Sequence, residues 1–391
     1  MSGSELPLRY GVNPHQRPAR ASVEVGRLPF AVLNGAPSYV NLLDALNSWQ
    51  LVRELRERVG LPAAASFKHV SPAGAAVAVP LDEPLRRACF VANAALSPLA
   101  QAYARARGAD RVSSYGDWAA VSDRVDVPTA RLLLLEVSDG VVAPAYEPEA
   151  LRLLAGKRQG SYVVIQVDPA YVPAAVETRD VFGVRLEQPR NSELFAADSF
   201  QRVVTGHGEL PESTRRDMLV ALVALKYTQS NSVCLVRDGG VIGMGAGQQS
   251  RIHCTRLAAD KADTWWLRQH PAVLDLRFRA GIGRTERDNA IDGYLRDDLT
   301  TPEEALWQGS FDDPPARLAP AARRDWLDRL DGVTLGSDAY IPFRDNIDRA
   351  SRSGARYVVQ PGGSSRDADV IRACQEYGMT MVFTGVRLFH H

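Results

Sequence analysis

The chain has 391 residues, 45% of them hydrophobic, enough to fill two or three domains with cores of their own. Its 46 basic and 46 acidic residues cancel without any basic run, which argues against a nucleic-acid footprint. Four scattered cysteines form no CxxC pair and no apolar run reaches membrane-spanning length, so neither structural zinc nor a membrane span is expected, and a reducing, cytoplasmic setting is.

In chain order, the start (Met1 to Pro7) lacks the basic and apolar regions of a signal peptide. Leu8-Arg9-Tyr10-Gly11-Val12-Asn13-Pro14 is turn chemistry holding an arginine and a tyrosine beside a bend. Leu42, Ala45, Leu46, Trp49, Val52 and Leu55 keep helical spacing up to Gly60, with Trp49 read as core. Next, Ala63 to Phe67 reads as a buried strand delivering Lys68 and His69 to its carboxyl end, after which Ser71-Pro72-Ala73-Gly74 turns the chain. In open α/β sheets the ligand crevice lies at such ends. Of the 46 basic residues only Lys68, Lys157, Lys226 and Lys261 are lysines, which makes an ammonium beside a histidine notable. On this stretch alone, a catalytic pair and a solvated lysine beside a structural histidine account for the residues equally well.

Leu85 to Arg107 reads helical with a break at Ser97-Pro98. Val112 to Asp117 and Glu136 to Pro144 read as strand-and-turn elements, each with a carboxylate beside a glycine, and Tyr162 to Val167 as a strand. Poor periodicity from Gly183 to Gly208 marks a connection between two halves. A strongly apolar helix from Pro211 to Leu225 then leads into Lys226-Tyr227-Thr228-Gln229-Ser230-Asn231-Ser232, followed by a hairpin turning at Asp238-Gly239. Gly243-Met244-Gly245-Ala246-Gly247 precedes a helix as anion-binding loops do, but its spacing and its place after a hairpin fit the dinucleotide fingerprint poorly. A close backbone approach to a polar ligand is the expectation there, with Gln248, Gln249, Arg251 and His253 on the walls.

Residues 258 to 332 read as a helical insertion whose tryptophans are core. Ser337 to Asn346 reads as a loop, and Tyr357 to Phe383 as a strand–helix–strand unit opened by Pro361-Gly362-Gly363-Ser364-Ser365. The domains expected are 1–185 and 186–391, the second carrying the insertion.

Taken together, Arg9-Tyr10-Gly11-Val12-Asn13-Pro14-His15-Gln16, Phe67 to Gly74, Lys226 to Ser232, Gly245 to Arg256, Pro342-Phe343-Arg344-Asp345-Asn346 and Arg387 to His391 resemble one family. It is AICAR transformylase, the formyltransferase portion of the bifunctional purine-biosynthesis protein that also carries IMP cyclohydrolase. The resemblance covers essentially the whole chain in order. It implies two cytidine-deaminase-like, three-layer α/β units with a helical insertion and no zinc. It also implies a homodimer with active sites at the subunit interface, moving a formyl group from 10-formyltetrahydrofolate to the 5-amino group of AICAR.

Transferred residue by residue, the resemblance makes Lys68, His69 and Asn231 the catalytic groups. Arg9, Tyr10, Gly116, Asp139, Arg251, Tyr340 and Arg387 stand at its AICAR contacts. Ile252, Pro342, Phe343, Asp345, Ser364 and Ser365 stand at its folate contacts. Some members hold a structural potassium ion near the segment corresponding to Thr228–Ser232. Tyr115 and Tyr340 depart from the family's frequent phenylalanines, and only eight residues precede Arg9, so formyl transfer without ring closure is expected, with a separate cyclohydrolase as partner.

Overall fold

The structure, a computed structural model, describes residues 3–206 and 210–391. Its centre is an eleven-stranded sheet. Across the sheet the strands run Thr380–Phe383, Ala355–Gln360, Val333–Ser337, Val233–Arg237, Gly240–Gly245, Ser71–Val77, Ala63–Lys68, Asp117–Val121, Ser138–Ala143, Val163–Val167 and Phe30–Asn34. Six of these come from residues 30–167 and five from 233–383, and the two sets join where Gly240 pairs with Ala76.

Helices cover both faces, giving three layers of α/β architecture. On one face, Tyr39–Val59 and Glu212–Lys226 bury Leu42, Ala45, Trp49, Val52 and the whole run Met218–Leu225 against Phe67, Trp118, Ile165 and Val236. On the other, Pro98–Gly108, Val127–Leu135, Arg251–Leu267 and Asp367–Glu376 pack Tyr103, Leu133, Ala258 and Val370 onto Ala64, Val141, Leu235 and Val358. The first helix starts as its sequence dictates. The Ser38 hydroxyl accepts from the Asn41 N–H, the Asn41 side chain answers the Ser38 N–H, and Gly60 closes the helix at φ 77°.

The insertion is helical and has its own core of Leu267, Tyr294, Trp307, Phe311 and Leu327. Trp266 and Trp326 stack at 5.4 Å, and each indole N–H donates to the other's backbone carbonyl.

Several expectations are corrected. Ser71 to Gly74 does not turn the chain: it lies inside a strand, and the turn is His69-Val70, because Lys68 pairs directly with Ser71. The helix read from Leu85 to Arg107 is two helices, Glu83–Ala88 and Pro98–Gly108, parted by an irregular stretch. The stretch of poor periodicity opens inside a hairpin, Val176–Val181 with Val184–Pro189, whose residues are almost all exposed, so that no buried face marks it. His207 and Gly208 of that connection, and Glu209 after it, lie outside the described residues. Within the presumed loop 337–346, Ser337 ends a strand and Asp345 opens the helix Asp345–Ser351. Among the described residues no helix is long and apolar enough to cross a membrane.

Candidate functional site

Strand order and direction gather most of the sequence-selected residues along one edge of the sheet. Lys68 ends its strand there, and the antiparallel neighbour Asp117–Val121 begins there, pairing Trp118 with Phe67. Ser138–Ala143 runs parallel to that neighbour and also begins there, which brings Asp139 to the same edge. In the other strand set Val233 pairs with both Gly245 and Ser337, and Gln360 with Phe383. Asn231, the loop after Gly245, Tyr340 and Arg387 therefore adjoin this edge too. The carboxyl-end rule holds for Val333–Ser337, Ala355–Gln360 and Thr380–Phe383. It fails for the parallel strands beside Lys68, which present their amino ends.

The turn carrying the Lys-His pair is strained. His69 and Val70 occupy the left-handed region at φ 54° and 58°. Two-residue hairpin turns demand that geometry, and asparagine and glycine supply it at low cost, whereas a β-branched valine does not. Lys68 is half-buried, and its Nζ donates to the Tyr115 carbonyl at 2.6 Å, leaving two ammonium protons free. That carbonyl precedes Gly116, whose φ of 72° explains a glycine there and whose N–H is held by the Val137 carbonyl. His69 is exposed. Beneath the turn lies Asp44, only 7% exposed, whose Oδ1 accepts the Val70 N–H at 2.7 Å.

One side chain couples this turn to the other strand set: the Gln229 N–H donates to the Ser71 hydroxyl at 3.2 Å. From there the network spreads. The Gln229 carbonyl accepts from Gly247, and Ser230 exchanges hydrogen bonds with the backbone of His390. The Asn231 amide is aimed from both ends. Its Oδ1 accepts from Arg251 at 2.9 Å, and one N–H of Nδ2 reaches the Gln249 carbonyl at 3.3 Å, leaving the second N–H free.

Arg251 is buried, with Nη1 and one N–H of Nη2 engaged by protein. It also donates to the Ser232 carbonyl and to Asp338, a carboxylate with no exposed surface that further accepts from Ser230, from the Ser232 hydroxyl and from the Ser232 N–H. Burial raises the Cys254 thiol to about 11, so it stays protonated beside the Asn231 carbonyl. Burial also lowers the His390 imidazole.

The glycine run is mostly packing. Gly243 and Gly245 lie inside a strand, where a Cβ would sit 2.0 Å from the Ala258 carbonyl and 2.1 Å from that of Cys254. Only Gly247, at φ 65°, belongs to the loop. The glycines let Arg251–Leu267 press on the sheet, and this places Arg251 beside Asp338.

The other selected residues form two groups. Arg9 reaches Asn41 at 3.4 Å and lies 5.5 Å from the Tyr10 ring, beside the start of the helix that carries Asp44. Asp139 pairs with Arg158 at 2.9 Å across an exposed gap, while Lys157 below it donates to the Ser138 hydroxyl and two carbonyls, its ammonium lowered to about 8 by burial. In the second group Tyr340 and Phe343 are exposed, Arg366 lies 5.6 Å from the Phe343 ring, and Ser364 accepts from the Arg366 N–H. Asp345 accepts from Asn346, which in turn holds Thr255 one turn beyond half-buried Ile252. Pro342 is half-buried, Ser365 is exposed, and Arg387 lies 4.6 Å from the Phe389 ring.

The Ala355–Gln360 strand is four steps across the sheet from Ser71–Val77, about 19 Å at normal strand spacing. The second group thus stands apart from Lys68 within one chain. A cavity of about 500 Å³ lies elsewhere, between the N-terminal hairpin, the Tyr39–Val59 helix and Tyr171, and is lined by none of the selected residues. Among the described residues no three His, Cys, Asp or Glu side chains converge as a metal site.

Sequence reasoning missed Asp44 and Asp338. Asp44 sits at an ordinary helix position, and Asp338 was read only as part of a loop. Both are buried carboxylates accepting backbone N–H groups, which no local pattern marks.

The sequence model of the AICARFT/IMPCHase bienzyme matches residues 2–261. Similar proteins include the bifunctional purine biosynthesis protein PurH of Magnetococcus marinus, 32% identical over 98% of this chain and 59% of its own length. Those of Roseobacter denitrificans and Cereibacter sphaeroides are 31% and 30% identical over the same shares. The chain thus spans 59% of the length of these relatives. On the matched model, and with the Lys-His turn and the Asn231–Arg251 network on one sheet edge, the chain belongs to the AICARFT/IMPCHase bienzyme family.

Proposed function

We propose that this chain transfers the formyl group of 10-formyltetrahydrofolate to the 5-amine of AICAR, releasing FAICAR and tetrahydrofolate. The observation that carries the reading is the coupling of the Lys68-His69 turn to the Asn231–Arg251–Asp338 network through Ser71 and Gln229. It juxtaposes a base, an ammonium and an amide donor, as acyl transfer to a weak amine requires.

The AICAR amine is conjugated with its ring and carboxamide, so its lone pair attacks poorly. His69 removes its proton as the tetrahedral intermediate forms, a role worth about 10²–10⁴-fold. The formyl oxygen gains charge and meets the free N–H of Asn231, such a preplaced donor being worth roughly 3–4 kcal/mol. Lys68, steadied by Tyr115, adds its positive charge there and protonates N10 of the leaving folate. Arg251 acts by aiming Asn231. Arg9, Tyr10, Gly116, Asp139, Tyr340 and Arg387 surround AICAR, with arginine forks suited to its phosphate.

Ile252, Pro342, Phe343, Asp345, Ser364 and Ser365 hold the folate. Because Ser364 and Ser365 follow a strand five steps across the sheet from that of Lys68, about 24 Å in one chain, a homodimer with the site shared between subunits supplies the folate contacts from the partner. The two strand sets correspond to cytidine-deaminase-like units 1–185 and 186–391. The potassium expectation concerns Thr228–Ser232, where the carbonyls of Gln229, Asn231 and Ser232 accept from Gly247, Gln248 and Arg251. No step is assigned to it.

The test is product identification by mass spectrometry with both substrates supplied. FAICAR is the expected product. His69→Ala should cut turnover by about two orders of magnitude or more while AICAR still binds. Near-normal turnover in that variant would refute the base assignment.

A further inference from the structure

A left-handed valine beside an exposed histidine has to be held, because backbone strain of this kind persists only where its surroundings over-determine it. The holder is visible. Asp44, on the second turn of the Tyr39–Val59 helix, accepts the Val70 N–H at 2.7 Å. The carboxylate is costly where it stands. Burial raises its pKa, and the Asp139 charge adds to this, while the Val70 N–H and nearby His69 act against it. Fixed charge around the turn is completed by Lys68 and by Arg158, which pairs with Asp139.

We propose that Asp44 is the positioning residue of the reaction: its carboxylate clamps the Val70 N–H of the His69-Val70 turn and so aims the His69 imidazole. This rests on the reading of His69 as the base. Asp44 need not touch substrate. A clamp of this kind acts on turnover, because it fixes where the base stands, and leaves AICAR affinity alone.

The experiment compares Asp44→Ala and Asp44→Asn in the full chain. The alanine removes the acceptor of the Val70 N–H, while the asparagine keeps one side-chain oxygen able to accept it. Amide hydrogen exchange at Val70 should quicken about ten- to a hundred-fold in Asp44→Ala and less in Asp44→Asn, with the amides of Ala63–Phe67 unchanged. Turnover should fall at least about ten-fold in the alanine variant, with KM for AICAR within about three-fold of the parent. If Asp44→Ala does not fold, Asp44→Asn decides alone. Unchanged exchange at the Val70 amide overturns the clamp. So does exchange raised equally along the whole Ala63–Lys68 strand, since that marks general destabilisation. Quickened exchange with turnover intact overturns the positioning role. If the unaltered protein transfers no formyl group, the functional reading fails, and the exchange data still decide whether Asp44 holds the turn.

Discussion

Val70 offers a test in which stability and turnover respond separately. At φ 58° an L-residue is strained by about 1–2 kcal/mol. Alanine at position 70 loses the valine methyls but keeps that strain. Glycine loses the same methyls and Cβ, relieves the strain, and pays roughly 0.5–1 kcal/mol for its freer unfolded chain. Subtracting the second from the first leaves Val70→Gly more stable than Val70→Ala by up to about 1.5 kcal/mol. At an ordinary strand position that order is reversed. Urea unfolding of the two variants, with equal slopes, measures the difference.

Turnover should move the other way. Glycine frees the turn, His69 samples more orientations, and a displacement near 1 Å can cost up to about 100-fold. Val70→Gly should therefore be the less active of the pair. If Val70→Ala is the more stable, the left-handed backbone is not what the turn stores. If Val70→Gly turns over as the parent does, the strained turn does not aim the base.

The remaining predictions concern buried charge. Arg251→Met leaves Asp338 without its guanidinium, and breaking a buried pair in this way should cost about 3–5 kcal/mol by denaturant unfolding; a loss under 1 kcal/mol would show that Asp338 is satisfied by its serine donors alone. Glu136 is buried, which by itself raises its carboxyl, but Arg111, Arg107 and Arg284 together lower it to about 2. A depressed carboxyl stabilises the fold above its unfolded value near 4.5, and that stabilisation is lost as pH falls toward 2. Glu136→Gln should thus flatten the loss of stability between about pH 4.5 and 2; an unchanged acid-unfolding slope would show that the arginine cluster does not depress this group.

Much of the fold was legible because its signals are local. The Leu42–Leu55 spacing, the apolar run Met218–Leu225, the Asp238-Gly239 turn and the unit from Tyr357 to Phe383 each satisfy a period or a turn rule within a few residues. The exposed hairpin Val176–Pro189 was invisible for the converse reason, since neither of its faces is buried. The glycines at 243 and 245 misled as a ligand loop, because packing against a helix and binding an anion call for the same missing side chain.

The chain by itself determined which reactive groups exist and which neighbours they have along the backbone: Lys68 next to His69, and Asn231 and Arg251 on either side of a hairpin. Only the tertiary structure decided that these groups share an edge, that Lys68 lies beside the amino ends of Asp117–Val121 and Ser138–Ala143, and that Asp44 and Asp338 lie beneath them. Strand order and helix docking are pairings between residues far apart in sequence, settled by burial of whole faces. A buried carboxylate looks like any other aspartate until the surface that covers it is in place.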